Sequence, residues 1–180
     1  MDDRMPPLPA GTMTAEQHQV VAEIVDGPRG ELAGPFAAMI RSPELVRHLQ
    51  RVGTYLRYEG ALPDVVFEYV VLMIARDWDQ PVEWAIHEPL ARAAGLSSAV
   101  IEGVGAGREP ALCAPLQAAR RLTQEITGAR SVSEETFRAA VAQFGEQGVI
   151  DLLATIGYYT TLAMTMNACR TATPPGPALP

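Results

Sequence analysis

Residues Tyr55 to Leu96 read YLRYEGALPDVVFEYVVLMIARDWDQPVEWAIHEPLARAAGL. Gly60 ends one helix, and Pro63 opens another that is expected to stop near Asp77. Pro81 opens a third, and Gly95 suits the left-handed residue that closes it. Within the middle helix, Val65, Val66, Phe67, Tyr69, Val70, Val71 and Leu72 cover every direction around Glu68. A helix that is apolar all round is a buried helix. Glu68 is therefore expected inside the protein, where a lone carboxylate is costly. It needs a proton or a partner. A helix end or Arg57 is the structural answer, and a catalytic role is the functional one.

Glu83 and His87 are four residues apart on the next helix and share a face. An exposed pair of this kind is worth a few tenths of a kcal/mol, whereas a sheltered one is a proton-transfer pair. Pro89 sharpens the second reading. It cannot donate to the carbonyl of Ala85 and pushes that turn outward, which suits the wall of a pocket. Two helices joined by Trp78-Asp79-Gln80 should pack antiparallel, an arrangement that can bring Glu68 and His87 together. A metal is not expected. Di-iron bundles repeat Glu-x-x-His on two helices, and here a single Glu-x-x-x-His stands alone.

Outward from this segment the punctuation stays helical. Thr14 with Gln17 forms a capping box for a helix to about Asp26, and Gly27-Pro28-Arg29-Gly30 breaks the chain. Short helices are expected over Pro35–Ile40 and from Ser97 or Ser98 to about Gly103. Longer ones should run from Pro43, capped by Ser42, to about Glu59, and from Pro115 to Thr127, closing at Gly128. Ser133 should cap a helix that Gly145 closes after Phe144, and a last helix runs from about Glu146 to Ala168. No segment alternates with period two. The expected fold is all-α: one domain over residues 13–170 with about seven to nine helices, an extended arm over 1–12 and a Pro-rich tail over 171–180.

Composition agrees with one globular core: 180 residues, 48% hydrophobic and 19% charged. The net charge of −7 argues against nucleic acid as a partner. Cys113 and Cys169 form no CxxC, and each is expected as a small buried side chain. No basic region leads into an apolar run at the N-terminus. The apolar windows Val65–Ala75 and Leu152–Met166 fall short of a membrane span, so no membrane partner and a cytoplasmic location are expected. His18 and His48 should face solvent. Of Tyr158 and Tyr159, one should pack in the core while the other lends its hydroxyl to a pocket. Asp151 should serve the dipole of the last helix. Gly103-Val-Gly-Ala-Gly107 follows no strand, so it is not read as a phosphate loop.

The segment quoted above, with RSPELVRHLQRVG before it and VSEETFRAAVAQFGEQGVIDLLATIGYYTTLAMTMNA after it, resembles the carboxymuconolactone decarboxylase branch of the alkylhydroperoxidase-like family. The family's redox branch carries Glu-x11-Cys-x-x-Cys-x3-His. Here Glu68 and His87 keep the flanking positions, and Gln80 and Glu83 stand where the cysteines would be. Thiol peroxidase chemistry has no reagent in such a sequence. The resemblance implies a lyase without a cofactor, acting on a small carboxylated lactone or related acid, with Glu68, Glu83 and His87 as catalytic residues. Arg57 would hold a substrate carboxylate, Trp84 would form an apolar wall and Tyr158 would supply a hydroxyl. It also implies a homotrimer, or a hexamer built from trimers. The apolar last helix and the two Pro-rich arms, free to wrap a neighbour, supply a motive. A proton-transfer enzyme on another carbonyl compound and a non-catalytic binding module are the alternatives.

Overall fold

Eight α-helices and one 3-10 turn (Ala10–Thr12) form the regular structure of residues 2–180 in the computed structural model, and none of these described residues is in a strand. The helices are α1 (Ala15–Val25), α2 (Pro35–Met39), α3 (Pro43–Tyr58), α4 (Asp64–Asp77), α5 (Pro81–Ala93), α6 (Ser98–Gly105), α7 (Ala114–Ala129) and α8 (Glu134–Cys169). The fold is all-α, as the caps and breakers predict.

The caps explain most of the boundaries. Thr14 and Gln17 make both halves of the capping box at α1. Ser97 caps α6, Ser133 caps α8, and the Gln80 side chain accepts from Val82 N at the start of α5. Ser42 makes no side-chain cap bond; Pro43 at the first position of α3 spares one orphan donor instead. Helix α7 passes through Gly128, where it was expected to close, and ends at Arg130 in the left-handed region. Gly145, with φ 69° and ψ 174°, breaks α8 into residues 134–144 and 146–169, the two helices read from the sequence.

Helix α4 is the centre of the packing and lies against α5, α6, α7 and α8. Val70, Val71 and Leu72 are fully buried, and side chains of this kind contribute roughly 1.5–3 kcal/mol each. The three-residue link after α4 turns through Asp79 at φ 44°, tied to Arg76 at 2.7 Å. It lays α5 back along α4. Helix α8 is long and apolar enough to cross a bilayer, which the shorter windows had not suggested, but over half of its most apolar stretch is buried in the domain. That burial makes it the domain's core helix.

Residues near both ends contact the domain. Arg4 donates to the carbonyls of Ala168 and Cys169 at the end of α8, and Asp3 accepts from Ala172 N. Leu8 and Leu179 pack on the core. Gly176 crosses α5 so closely that a Cβ there would lie 3.0 Å from the Ala85 carbonyl, the one that Pro89 leaves without a helical donor. Most residues of the two arms stay exposed, and these few contacts tie them to the domain.

Glycines in α6 serve the same close packing. Gly103 faces Pro110, and Gly105 faces Trp84 and Pro180. Asp151 is also not a dipole charge. It is buried, accepts from Ala61 N at 2.8 Å and from the Tyr55 hydroxyl at 3.2 Å, and so ties the end of α3 to α8. Cys169 is buried, but Cys113 is exposed at the N-cap of α7, contrary to the expectation for it.

Candidate active site

Glu68 and His87 meet because α4 and α5 pack along their lengths. His87 Nδ1 lies 2.7 Å from Glu68 Oε2, and His87 Nε2 lies 3.3 Å from Glu83 Oε2. All three side chains are buried, with 6%, 3% and 3% of their residue surfaces exposed for Glu68, His87 and Glu83. One imidazole therefore bridges two carboxyl groups, one from the preceding helix and one from the preceding turn. The Tyr159 ring meets the imidazole edge-on, with centroids 5.1 Å apart, and limits its rotation.

The two carboxyl groups differ in surroundings. Glu68 borders a shallow cavity with Arg57, Tyr58 and Phe67. Glu83 and His87 border a different cavity of about 400 Å³, shared with Arg29, Phe36, Arg57 and Tyr159, and edged by Ala172 and Pro174 of the tail. Glu83 Oε1 is buried and has no hydrogen-bond partner among the described residues. Burial raises the Glu83 carboxyl above its ordinary range, and His87, Arg29 and Arg57 pull it back down. A protonated Glu83 can thus donate into the cavity while the imidazole accepts or returns a proton behind it.

Arg57 lines the cavity. It stacks on Tyr58 with its guanidinium carbon 5.5 Å from the ring centroid, and it pairs with neither Glu59 nor Glu68. Two expected residues lie elsewhere. Trp84 is buried against Gly105, away from the cavity, because it follows Glu83 by about 100° on α5. Val82, Ile86 and Leu162 supply the apolar wall. Tyr158 does not border the cavity; Tyr159 does, since neighbours on α8 cannot face the same way. The Tyr158 hydroxyl instead accepts from Arg29 Nη2 at 3.3 Å.

Sequence reading missed Arg29 and Tyr159. Arg29 sits in the segment that reads only as a helix break, and Tyr159 is one of two adjacent tyrosines. Gln80 and the cysteines stand apart from the chemistry: Gln80 hydrogen-bonds Asn167 at 2.8 Å, and no cysteine borders the cavity. His18 and His48 are exposed.

No protein-family model and no curated protein matches the chain. Solved structures do. One is an uncharacterized peroxidase-related protein from Ralstonia eutropha with an alkylhydroperoxidase AhpD core: TM-score 0.77 and 15% identity, covering 95% of this chain and 92% of that one. Another is a protein of unknown function from Agrobacterium tumefaciens whose suggested role is AhpD-type antioxidant defence: TM-score 0.66 and 16% identity, covering 76% of this chain and 95% of that one. The chain has the AhpD fold. At such identities the likeness extends to the fold alone, and neither neighbour distinguishes a decarboxylase from a peroxidase.

Proposed function

We propose that this protein is a cofactor-independent proton-transfer lyase of the carboxymuconolactone decarboxylase type, acting on a small carboxylated lactone or a related acid. The observation that carries the reading is His87 held between Glu68 and Glu83 at the edge of a cavity that also holds Arg57, a cation without a carboxylate partner among the described residues. In such a reaction the bond from carbon to the carboxylate breaks and carbon dioxide leaves. The electron pair moves into the unsaturated lactone, and one proton is then added to carbon. In this reading Glu83 delivers that proton, His87 resupplies it, and Glu68 orients the ring and balances its charge. Arg57 supports the negative charge that develops on the lactone oxygen.

Thiol peroxidase chemistry finds no support in these residues, because Gln80 caps a helix and Glu83 joins the relay where that chemistry needs two cysteines. An isomerase or another proton-transfer enzyme would use the same three groups. The experiment is to incubate the purified protein with a panel of γ-lactones bearing carboxylates and to follow carbon dioxide and enol-lactone release. Turnover with carbon dioxide supports the lyase, a rearranged substrate without carbon dioxide indicates an isomerase, and saturable binding without product indicates a binding module. The proposal includes a homotrimer or a hexamer of trimers in the cytoplasm. Ile150 and Met164, 63% and 45% exposed on α8, offer an apolar face for it. A monomer by light scattering at micromolar concentration contradicts the assembly.

A further inference from the structure

Arg29 is a cation seated on the cavity wall that forms no ion pair among the described residues, although its field reaches the Glu83 carboxyl. Its guanidinium carbon lies 4.6 Å from the centroid of the Phe36 ring, and Nη2 donates to the Tyr158 hydroxyl at 3.3 Å. Its Nε is buried without a hydrogen-bond partner among the described residues, and the side chain forms no ion pair there. Loops seldom immobilise an arginine so thoroughly without using its charge, because fixing such a side chain costs up to about 2 kcal/mol of rotamer entropy.

The seat has been cleared on a third element. Gly53 stands in the middle of α3, where glycine costs roughly 1 kcal/mol relative to alanine. A Cβ at that position would lie 2.2 Å from the Tyr158 hydroxyl oxygen and 2.4 Å from Arg29 Nη2, so a side chain there would push both groups out of their present places. So a loop, α3 and α8 cooperate to place one guanidinium on the wall of the cavity that holds Glu83 and His87. Phe36 covers one face of the fork, leaving approach in its plane, the geometry in which a guanidinium receives a carboxylate.

We infer that Arg29, seated on Gly53 and clamped by Phe36 and Tyr158, is the specificity-determining anchor for the carboxylate of a small organic acid bound in this cavity. It is a positioning residue: it fixes the ligand's anionic end while Glu83 meets the other. Tyr158 thus contributes through Arg29 and not by reaching the ligand. The inference deepens the lyase reading by assigning what selects an acid over its neutral analogue, but binding alone tests it.

The full-length protein is titrated calorimetrically with benzoate and 2-furoate, and with benzamide as the uncharged isostere. The wild type should bind both carboxylates saturably and at least about tenfold more tightly than benzamide. Arg29→Gln should lose that preference, and Arg29→Lys should keep part of it. Gly53→Ala should lose it as well while retaining every charge, since the added methyl group displaces the fork. Circular dichroism checks folding, and if Arg29→Gln does not fold, Arg29→Lys and Gly53→Ala decide the outcome. The inference is overturned if the wild type binds no carboxylate, if it binds benzamide equally well, or if Arg29→Gln and Gly53→Ala bind benzoate like the wild type. Carboxylate binding that depends on Arg29, without turnover of any lactone, keeps the anchor and removes the lyase. Turnover that survives Arg29→Gln unchanged does the reverse.

Discussion

Glu68 and Tyr69 are adjacent on α4, yet they border different cavities. Glu68 leads through His87 to the cavity of Glu83, Arg29 and Arg57. Tyr69 borders a cavity of about 230 Å³ on the other side of the helix, with Arg76, Arg108 and Arg120 at its edge. Both hollows are lined by arginines, but their charges are used differently. Arg76 is paired with Asp79 and Arg120 with Glu109, and Arg108 is exposed. The Tyr69 phenol is pushed up to about 12 by burial, so it holds its proton throughout the physiological range. On the relay side Arg29 and Arg57 form no ion pair among the described residues, and a titratable chain is buried beside them. A hollow becomes a candidate site through uncompensated charge next to groups that can move a proton, not through its size.

The largest effect should come from cutting the relay. His87→Gln and Glu68→Gln should each lower turnover of an active lactone by about a hundredfold or more, the usual contribution of a general acid or base, with helicity nearly unchanged. Melting temperature and turnover are measured on the same samples. A Glu68→Gln protein that melts early but turns over normally when folded would reduce Glu68 to a structural residue.

The two sets of arginines give the next contrast. Arg57→Gln should lower kcat and kcat/KM about tenfold, the value of one charge-assisted contact of about 1.5 kcal/mol made to charge that develops in the transition state. Arg120→Gln, in the other cavity, should leave both KM and kcat within twofold. Steady-state kinetics on the two variants would erase the distinction if they suffered equally.

A smaller effect separates the titrating groups. Glu83 has a folded-state pKa raised by burial above its ordinary 4.5, so the unfolded chain releases this proton first as pH rises. Its contribution to stability is therefore complete below about 4.5 and is lost as pH climbs through the folded value. Glu83→Gln cannot ionise. Its melting temperature should exceed that of the wild type by a few degrees at neutral pH, and the two curves should converge below pH 4.5. Thermal melts between pH 4 and 8 check this; a gain that persists at low pH would deny the buried ionisation.

The smallest expected effect is none. Cys113 lies at the start of α7 and Cys169 at the end of α8, and neither borders the relay cavity. Cys113→Ser with Cys169→Ser should leave kcat/KM within twofold. A large loss in a folded double variant would restore a redox role.

Much of this molecule was legible along the chain, because its signals are local. Thr14 with Gln17, Pro43, Pro81, Ser133 and Gly145 act on backbone groups within one turn, so they mark helix boundaries without knowledge of what lies across the core. Glu68 betrayed itself in the same way, as a lone carboxyl in an apolar helix, and the four-residue spacing of Glu83 and His87 put them on one face. The short link after Asp77 even implied an antiparallel packing in which Glu68 and His87 could meet.

What the tertiary structure alone decided concerns groups that are distant in sequence. That one imidazole serves both carboxyls depends on how α4 and α5 pack. Which of Trp84, Tyr158 and Tyr159 faces the cavity is set by helix rotations of about 100° per residue, which an apolar helix without a polar stripe leaves unspecified. Arg29 joins a site 58 residues further along the chain only because a loop is folded over Gly53 and against Tyr158. Local chemistry writes where helices begin and end; packing, which sums many weak contacts across the whole chain, chooses which of their faces meet.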